Sequence, residues 1–205
     1  MIISYEHNFC FVKTRKTAGS TLEKLVLPYL REDLDICTGS PRDDTPRLNT
    51  NNTNGHLRFN NLLESWNLNP NKLFSFSIER NPWDKVVSAY YWHKKIKPGQ
   101  FENMEFDTYV ENRHGLLPTD WYLYYPSEKL KVRKVYKYEE RYDMYADLNN
   151  RFGFKITKDQ VNLTRLKSDV RKNKEYKNMY NSTSKKVIAK IFEKEIETFK
   201  YTYDW

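Results

Sequence analysis

No run of apolar residues in this 205-residue chain approaches the length of a membrane span. The N-terminus lacks the apolar core that a secretory signal carries. The expectation is therefore a cytoplasmic protein with no membrane partner. Cysteine is scarce: Cys10 and Cys37 are the only two, too few for a disulfide framework, and both are read as reduced thiols. The four histidines, His7, His56, His93 and His114, are scattered, and no His/Cys cluster suggests a metal. No internal repeat is present. Asn51, Asn162 and Asn181 each open an Asn-x-Ser/Thr triplet, which in an asparagine-rich chain without a secretion signal is a chance match.

What is present is a polar-surfaced globular composition. Charged residues make up 30%, hydrophobic ones 39% and aromatic ones 16%, with a formal charge of +8. This length predicts one domain, residues 1–205, with a sizeable core. The positive balance suits an anionic ligand. Nucleic acid is the usual competing inference, but Lys and Arg are spread along the chain with no basic block, so no nucleic-acid partner is expected.

The most informative stretch begins at Phe9-Cys10-Phe11-Val12, a short apolar run that reads as a buried strand. Lys13-Thr14-Arg15-Lys16-Thr17-Ala18-Gly19-Ser20-Thr21 follows as a basic, hydroxylated turn. Leu22, Leu25, Val26, Tyr29 and Leu30 then fall at helical spacing. Strand, small-residue loop and helix N-terminus make an anion cradle, because backbone N–H groups and the positive dipole end aim at one spot. Lys16 adds a mobile charge, and Thr17, Ser20 and Thr21 add hydroxyls. The competing reading is a plain helix cap. The phosphate loop of nucleotide hydrolases is excluded by spacing, since it needs Gly directly before Lys and a hydroxyl directly after. Here Lys16 precedes the loop's one glycine, Gly19, by three positions.

A second strand signal, Phe74-Ser75-Phe76-Ser77-Ile78, ends in Glu79-Arg80-Asn81-Pro82-Trp83-Asp84-Lys85-Val86-Val87-Ser88. Pro82 suits the first turn of a helix. Arg80 at the strand end and Ser88 two turns into the helix can converge on one phosphate, the arginine through its planar fork.

Together these two motifs resemble those of sulfotransferases that use 3′-phosphoadenosine 5′-phosphosulfate (PAPS). Lys16-Thr17-Ala18-Gly19-Ser20-Thr21 is similar to the family's 5′-phosphosulfate loop, and the segment from Glu79 to Trp92 to its 3′-phosphate motif. The likeness is nearest to the carbohydrate-type branch and extends to Val135-Tyr136-Lys137-Tyr138-Glu139-Glu140 and the final helix through Tyr203. The chain departs from many relatives at Arg15, where they carry proline, and at Lys85, where they carry arginine. The resemblance implies PAPS as cosubstrate, no metal, and an acceptor hydroxyl of the kind a carbohydrate bears. Arg15, Lys16, Thr17, Ala18, Gly19, Ser20, Thr21, Arg80 and Ser88 become the cofactor-binding candidates. In the family a basic, hydroxylated loop before the last helix closes over the donor. Arg165, Lys167 and Arg171 are its candidates here, against the alternative of a solvated loop.

Sulfuryl transfer is an in-line displacement, similar in geometry to phosphoryl transfer. Charge builds on the leaving bridging oxygen, which Lys16 would neutralise, and the acceptor hydroxyl needs a general base. His56, between the motifs, occupies a place where carbohydrate-branch relatives often carry a histidine. Asp120 and Glu79 are the acidic alternatives. His7 reads as a surface residue, and His93 and His114 as residues near substrate. A small-molecule kinase and a non-catalytic polyanion-binding module are the rival functions.

The fold expectation is α/β: one domain with a central parallel sheet flanked by helices, carrying a phosphate-loop-like strand-loop-helix at its phosphosulfate end. The polar stretch 39–55 reads as a substrate loop or disorder, and residues 60–66 as a helix. The aromatic-rich stretch 94–126 is placed over the active-site mouth. Residues 131–138 read as a strand, 142–152 as a helix closed by Gly153, and 188–199 as one amphipathic terminal helix.

Overall fold

The computed structural model describes residues 1–39, 45–51, 54–112, 117–164, 171 and 175–204. The chain forms two compact units, each assembled from two segments: Met1–Glu79 with Asp120–Leu166, and Arg80–Thr119 with Lys167–Trp205.

The first unit holds a five-stranded sheet. Its elements are β1 (Ile2–Ser4), β2 (Phe9–Val12), α1 (Gly19–Val26), β3 (Ile36–Cys37), α2 (Phe59–Ser65) and β4 (Phe74–Glu79). In the second unit follow α3 (Pro82–Ile96), α4 (Pro98–Phe101) and α5 (Phe106–Glu111). The chain then adds α6 (Trp121–Tyr124), β5 (Lys134–Lys137), α7 (Arg141–Phe152) and α8 (Lys158–Leu163) to the first unit, and α9 (Ser182–Ile191) and α10 (Glu193–Phe199) to the second.

Strand order is β3-β1-β2-β4-β5. β2, β4 and β5 are parallel, with Phe9 opposite Phe74 and Phe76 opposite Lys134. β1 adds on the other side as an antiparallel neighbour of both β2 and β3. The parallel sheet anticipated from the alternation of strands and helices is thus its β2-β4-β5 part. β1 is only three residues long, too short for periodicity to announce it, and the apolar run at Phe9 is the second strand. Both faces of β2 are buried, which explains its continuous apolar sequence. Phe9, Phe11 and Phe76 pack with Leu22, Val26, Met144 and Leu148 from the helices.

Helix limits follow local chemistry. Gly153 ends α7 in the left-handed region (φ 72°) and donates its N–H to the Asn149 carbonyl. Thr157 with Gln160 and Asn181 with Ser184 form reciprocal capping boxes at α8 and α9. The apolar stripe 188–199 is divided between α9 and α10 at Phe192, which leaves helical geometry (φ −106°, ψ 26°) while fully buried. In the second unit Trp83, Val86, Val87, Tyr90, Phe101, Tyr109, Ile188 and Phe192 form a separate core. Both cysteines are buried and free, and burial pushes the Cys10 thiol up to about 12. Among the described residues no helix is long and apolar enough to cross a membrane.

Candidate active site

Between β2 and α1 the backbone turns through two non-glycine residues with positive φ, Lys16 (63°) and Ala18 (62°). Each such residue costs on the order of 1–2 kcal/mol, so the surroundings must impose the conformation. Thr14 does so on one side, donating its hydroxyl to the Ile78 carbonyl of β4 and lying 2.8 Å from the Thr17 hydroxyl. Asp120 does so on the other, accepting the Arg15 backbone N–H and the Arg15 Nε–H, each at 2.7 Å. Thr17 is therefore turned inward and buried, whereas Lys16 and Ser20 are half-buried. Thr21 donates to the Thr164 carbonyl at 3.2 Å.

No side chain caps α1, whose N-cap is Ala18. The loop hydroxyls thus do not serve as a helix cap, and the positive end of the α1 dipole keeps its capacity for an anion. Gly19 is required by space: a Cβ there would meet Lys13 Cγ at 2.8 Å. Lys13 is itself fixed, its Nζ donating to Glu23 Oε2 at 2.6 Å. Glu23, fully buried, also takes the Met1 amine at 2.5 Å and the Thr38 hydroxyl at 3.2 Å. Burial pushes the Glu23 carboxyl up, but its cationic neighbours outweigh burial and the net shift is downward.

His56 lies against the root of this loop. Its Nδ1 is 3.0 Å from the Lys13 carbonyl. A carbonyl only accepts, so Nδ1 carries the proton and Nε2 the lone pair of the neutral ring. Burial, the largest influence, lowers the His56 pKa to about 4, against the opposing hydrogen bond to Lys13. The ring is neutral at pH 7, the state a proton acceptor needs.

The acidic alternatives have structural partners: Asp120 holds Arg15, and Glu79, fully buried, accepts the Tyr124 hydroxyl at 2.8 Å. His7 is half-buried and not a surface residue, its Nε2 3.0 Å from the Tyr29 carbonyl and its ring edge-on to Phe154. His93 has its Nδ1 2.8 Å from the Tyr109 hydroxyl and its ring stacked on Phe101. His114, Arg165 and Lys167 lie outside the described residues.

In the second unit, Asn81 caps α3 by accepting the Trp83 N–H, with Pro82 at the first helical position. Arg80 donates Nε to Asp84 Oδ2 at 2.7 Å, and its Nη2 is 2.6 Å from the same oxygen. Arg171 pairs with the other oxygen, Oδ1. One carboxylate therefore bridges two guanidiniums. Burial acts to raise the Asp84 pKa, but Arg80 and Arg171 together turn the shift downward. Ser88 lies one turn beyond Asp84 and is half-buried, while Lys85 is fully buried. The i,i+4 spacing of Arg80 and Asp84 was the available signal for this cluster. Nothing in the spacing of Lys13 and Glu23 announces theirs. Among the described residues no group of three or more His, Cys, Asp or Glu gathers as a metal site.

No protein-family model matches the chain, and no curated protein does. Among solved structures it is similar to mouse sulfotransferase SULT7A1 complexed with PAP, at a TM-score of 0.53 and 12% identity, covering 94% of this chain and 86% of that one. The central sheet with its flanking helices is thus a mixed α/β fold of the kind that sulfotransferase adopts.

Proposed function

We propose that the protein is a PAPS-dependent sulfotransferase acting on a hydroxyl, in particular one borne by a carbohydrate, with residues 1–205 working as one catalytic domain. The observation that carries the reading is the uncapped start of α1, reached through a loop whose Lys16 and Ala18 are held left-handed on a chain of sulfotransferase-like fold. The residues present suit such a donor: a dipole end and Lys16 for the phosphosulfate, two guanidiniums and Ser88 for the 3′-phosphate.

In this reading residues 15–21 bind the phosphosulfate through backbone N–H groups, Lys16 and Ser20. The donor supplies the sulfuryl group. Lys16 holds the charge that develops on the bridging oxygen as the S–O bond breaks. His56 Nε2 takes the acceptor proton while the acceptor oxygen bonds to sulfur, giving a sulfate ester and adenosine 3′,5′-bisphosphate. Arg80 and Ser88 bind the 3′-phosphate. Asp120 anchors the loop through Arg15.

Thermal-shift titration tests the donor assignment, because a selective ligand raises the melting temperature. Adenosine 3′,5′-bisphosphate should stabilise the protein at concentrations where ATP and an oligonucleotide do not. Equal stabilisation by ATP would overturn it. Incubation with labelled PAPS and a panel of glycans, lipids and small alcohols then identifies the acceptor.

A further inference from the structure

The segment from Asp120 to Val132 is fastened to the ends of two parallel strands. Asp120 grips Arg15, three residues beyond the last residue of β2. Tyr124 is fully buried and donates its hydroxyl to Glu79, the last residue of β4. The Tyr124 carbonyl in turn accepts the Val132 N–H at 3.0 Å. The four-residue α6 between these anchors is therefore fixed at the carboxyl ends of β2 and β4, the edge of a parallel sheet where ligands bind.

What α6 turns away from the core is aromatic. Trp121 and Tyr125, both half-buried, stack with centroids 4.5 Å apart and planes at 25°. Tyr122 beside them is 56% exposed. Cationic groups stand at both ends of α6: Lys131 Nζ lies 5.6 Å from the Tyr125 centroid, and the Arg15 side chain, 39% exposed and ion-paired with Asp120, lies at the α6 N-cap. Isolated exposed aromatics are ordinary on protein surfaces. Three of them on one anchored turn, with cations on the flank, form a shaped polar-and-apolar surface of the kind that binds small ligands.

We propose that Trp121, Tyr122 and Tyr125, with Lys131 and Arg15, form the platform that receives the acceptor, and that it takes an acidic sugar ring bearing a carboxylate or sulfate. The apolar C–H face of a pyranose covers an aromatic ring, and its anionic substituent meets the flanking cations. A neutral aryl alcohol would use the rings but not the charges. That the occupant is an acceptor rests on the function proposed above. That the surface binds acidic sugar does not.

Calorimetry on the full chain saturated with adenosine 3′,5′-bisphosphate tests the platform, using a hyaluronan tetrasaccharide, a sulfated chondroitin tetrasaccharide, neutral chitotetraose and 2-naphthol. At least one charged tetrasaccharide should bind more tightly than chitotetraose and 2-naphthol. Tyr122→Ala and Lys131→Ala should each weaken it about tenfold or more, with bisphosphate affinity within twofold of wild type. Tyr122 and Lys131 are exposed, so these variants keep the fold even if Trp121→Ala does not. Absence of binding by both charged tetrasaccharides, preference for 2-naphthol, or indifference to Tyr122→Ala and Lys131→Ala would overturn the proposal. Tetrasaccharide binding that depends on Tyr122 in a protein that ignores the bisphosphate would leave the platform standing and remove the donor assignment.

Discussion

Asp120 accepts two hydrogen bonds from Arg15, one from the backbone and one from the guanidinium, across 105 residues of sequence. A residue considered as a base is thereby a clasp on the loop between β2 and α1. Asp120→Ala leaves the Arg15 N–H and guanidinium without this partner and should destabilise the protein by about 1–3 kcal/mol. It should also weaken adenosine 3′,5′-bisphosphate, because the loop loses its outer support. Denaturant titration of Asp120→Ala, Arg15→Ala and the double variant measures the coupling. Additive losses would show that the guanidinium contact contributes nothing, since Arg15→Ala keeps the backbone N–H.

Lys16→Ala should remove more than about 100-fold of the turnover, the typical loss for one transition-state donor, with the protein still folded. Lys16→Met keeps the aliphatic stem and should be equally inactive. Activity retained in Lys16→Met would shift the role from charge to packing. Near-normal turnover in both would remove Lys16 from the chemistry.

The neighbouring residue offers a purely conformational test. Ala18 sits at φ 62°, where glycine carries no Cβ penalty. Ala18→Gly should therefore stabilise the folded state by up to about 1 kcal/mol, the gain being reduced by the extra freedom of the unfolded chain. A lower denaturation midpoint in Ala18→Gly would show that this backbone is not strained.

The lowered pKa of His56 has two consequences. As base in the free enzyme it should place the acidic limb of kcat/KM near pH 4, and that limb should vanish in His56→Gln along with about 10²–10⁴-fold of the rate. Donor affinity should hardly change. For stability, the unfolded chain binds the proton near the ordinary 6.5 and the folded chain only near 4. The contribution of neutral His56 is thus complete above pH 6.5 and lost as pH falls towards 4, on the order of 3 kcal/mol. His56→Gln should flatten the stability slope across that window. An unaltered slope and rate profile would send the search for the base elsewhere.

Arg80, Asp84 and Arg171 make a charge triad whose central member is the anion. Arg80→Ala should weaken adenosine 3′,5′-bisphosphate strongly and adenosine 5′-phosphosulfate little, since the latter lacks a 3′-phosphate. Asp84→Ala leaves two guanidiniums facing each other and should destabilise by about 3 kcal/mol or more. Sulfate or the bisphosphate should then restore more melting temperature than either adds to wild type. Equal ligand shifts in the two proteins would separate the triad from anion binding.

The local parts of this architecture were readable in the sequence. The apolar run before Lys16, the proline after Arg80 and the glycine after Phe152 each specify an element within a few residues of themselves. The clasp between Arg15 and Asp120 was not, because its partners are far apart and either residue alone suggests a different role. Thr17 shows the same limit: its hydroxyl suits an anion, yet the fold turns it towards Thr14. At Phe192 the apolar period continues without interruption while the helix does not. His56 lay at a place marked by resemblance, but its tautomer depends on the carbonyl of Lys13, which only the folded chain brings within reach.

The mixed sheet also sets an order of assembly. Its antiparallel part, β3-β1-β2, is drawn entirely from the first 37 residues, whereas the parallel pairs join Phe9 to Phe74 and Phe76 to Lys134. Loop-closure entropy delays the distant pairs, so the short antiparallel meander is expected to form early in folding and β5 late. Ile3→Val in β1 should then slow refolding, and Val135→Ala in β5 should chiefly speed unfolding. Stopped-flow chevrons of the two variants would reveal the reverse pattern if β4 and β5 form first. The α1 loop hangs from β2 and leans on β4 through Thr14, so this loop acquires its shape only in the later stage.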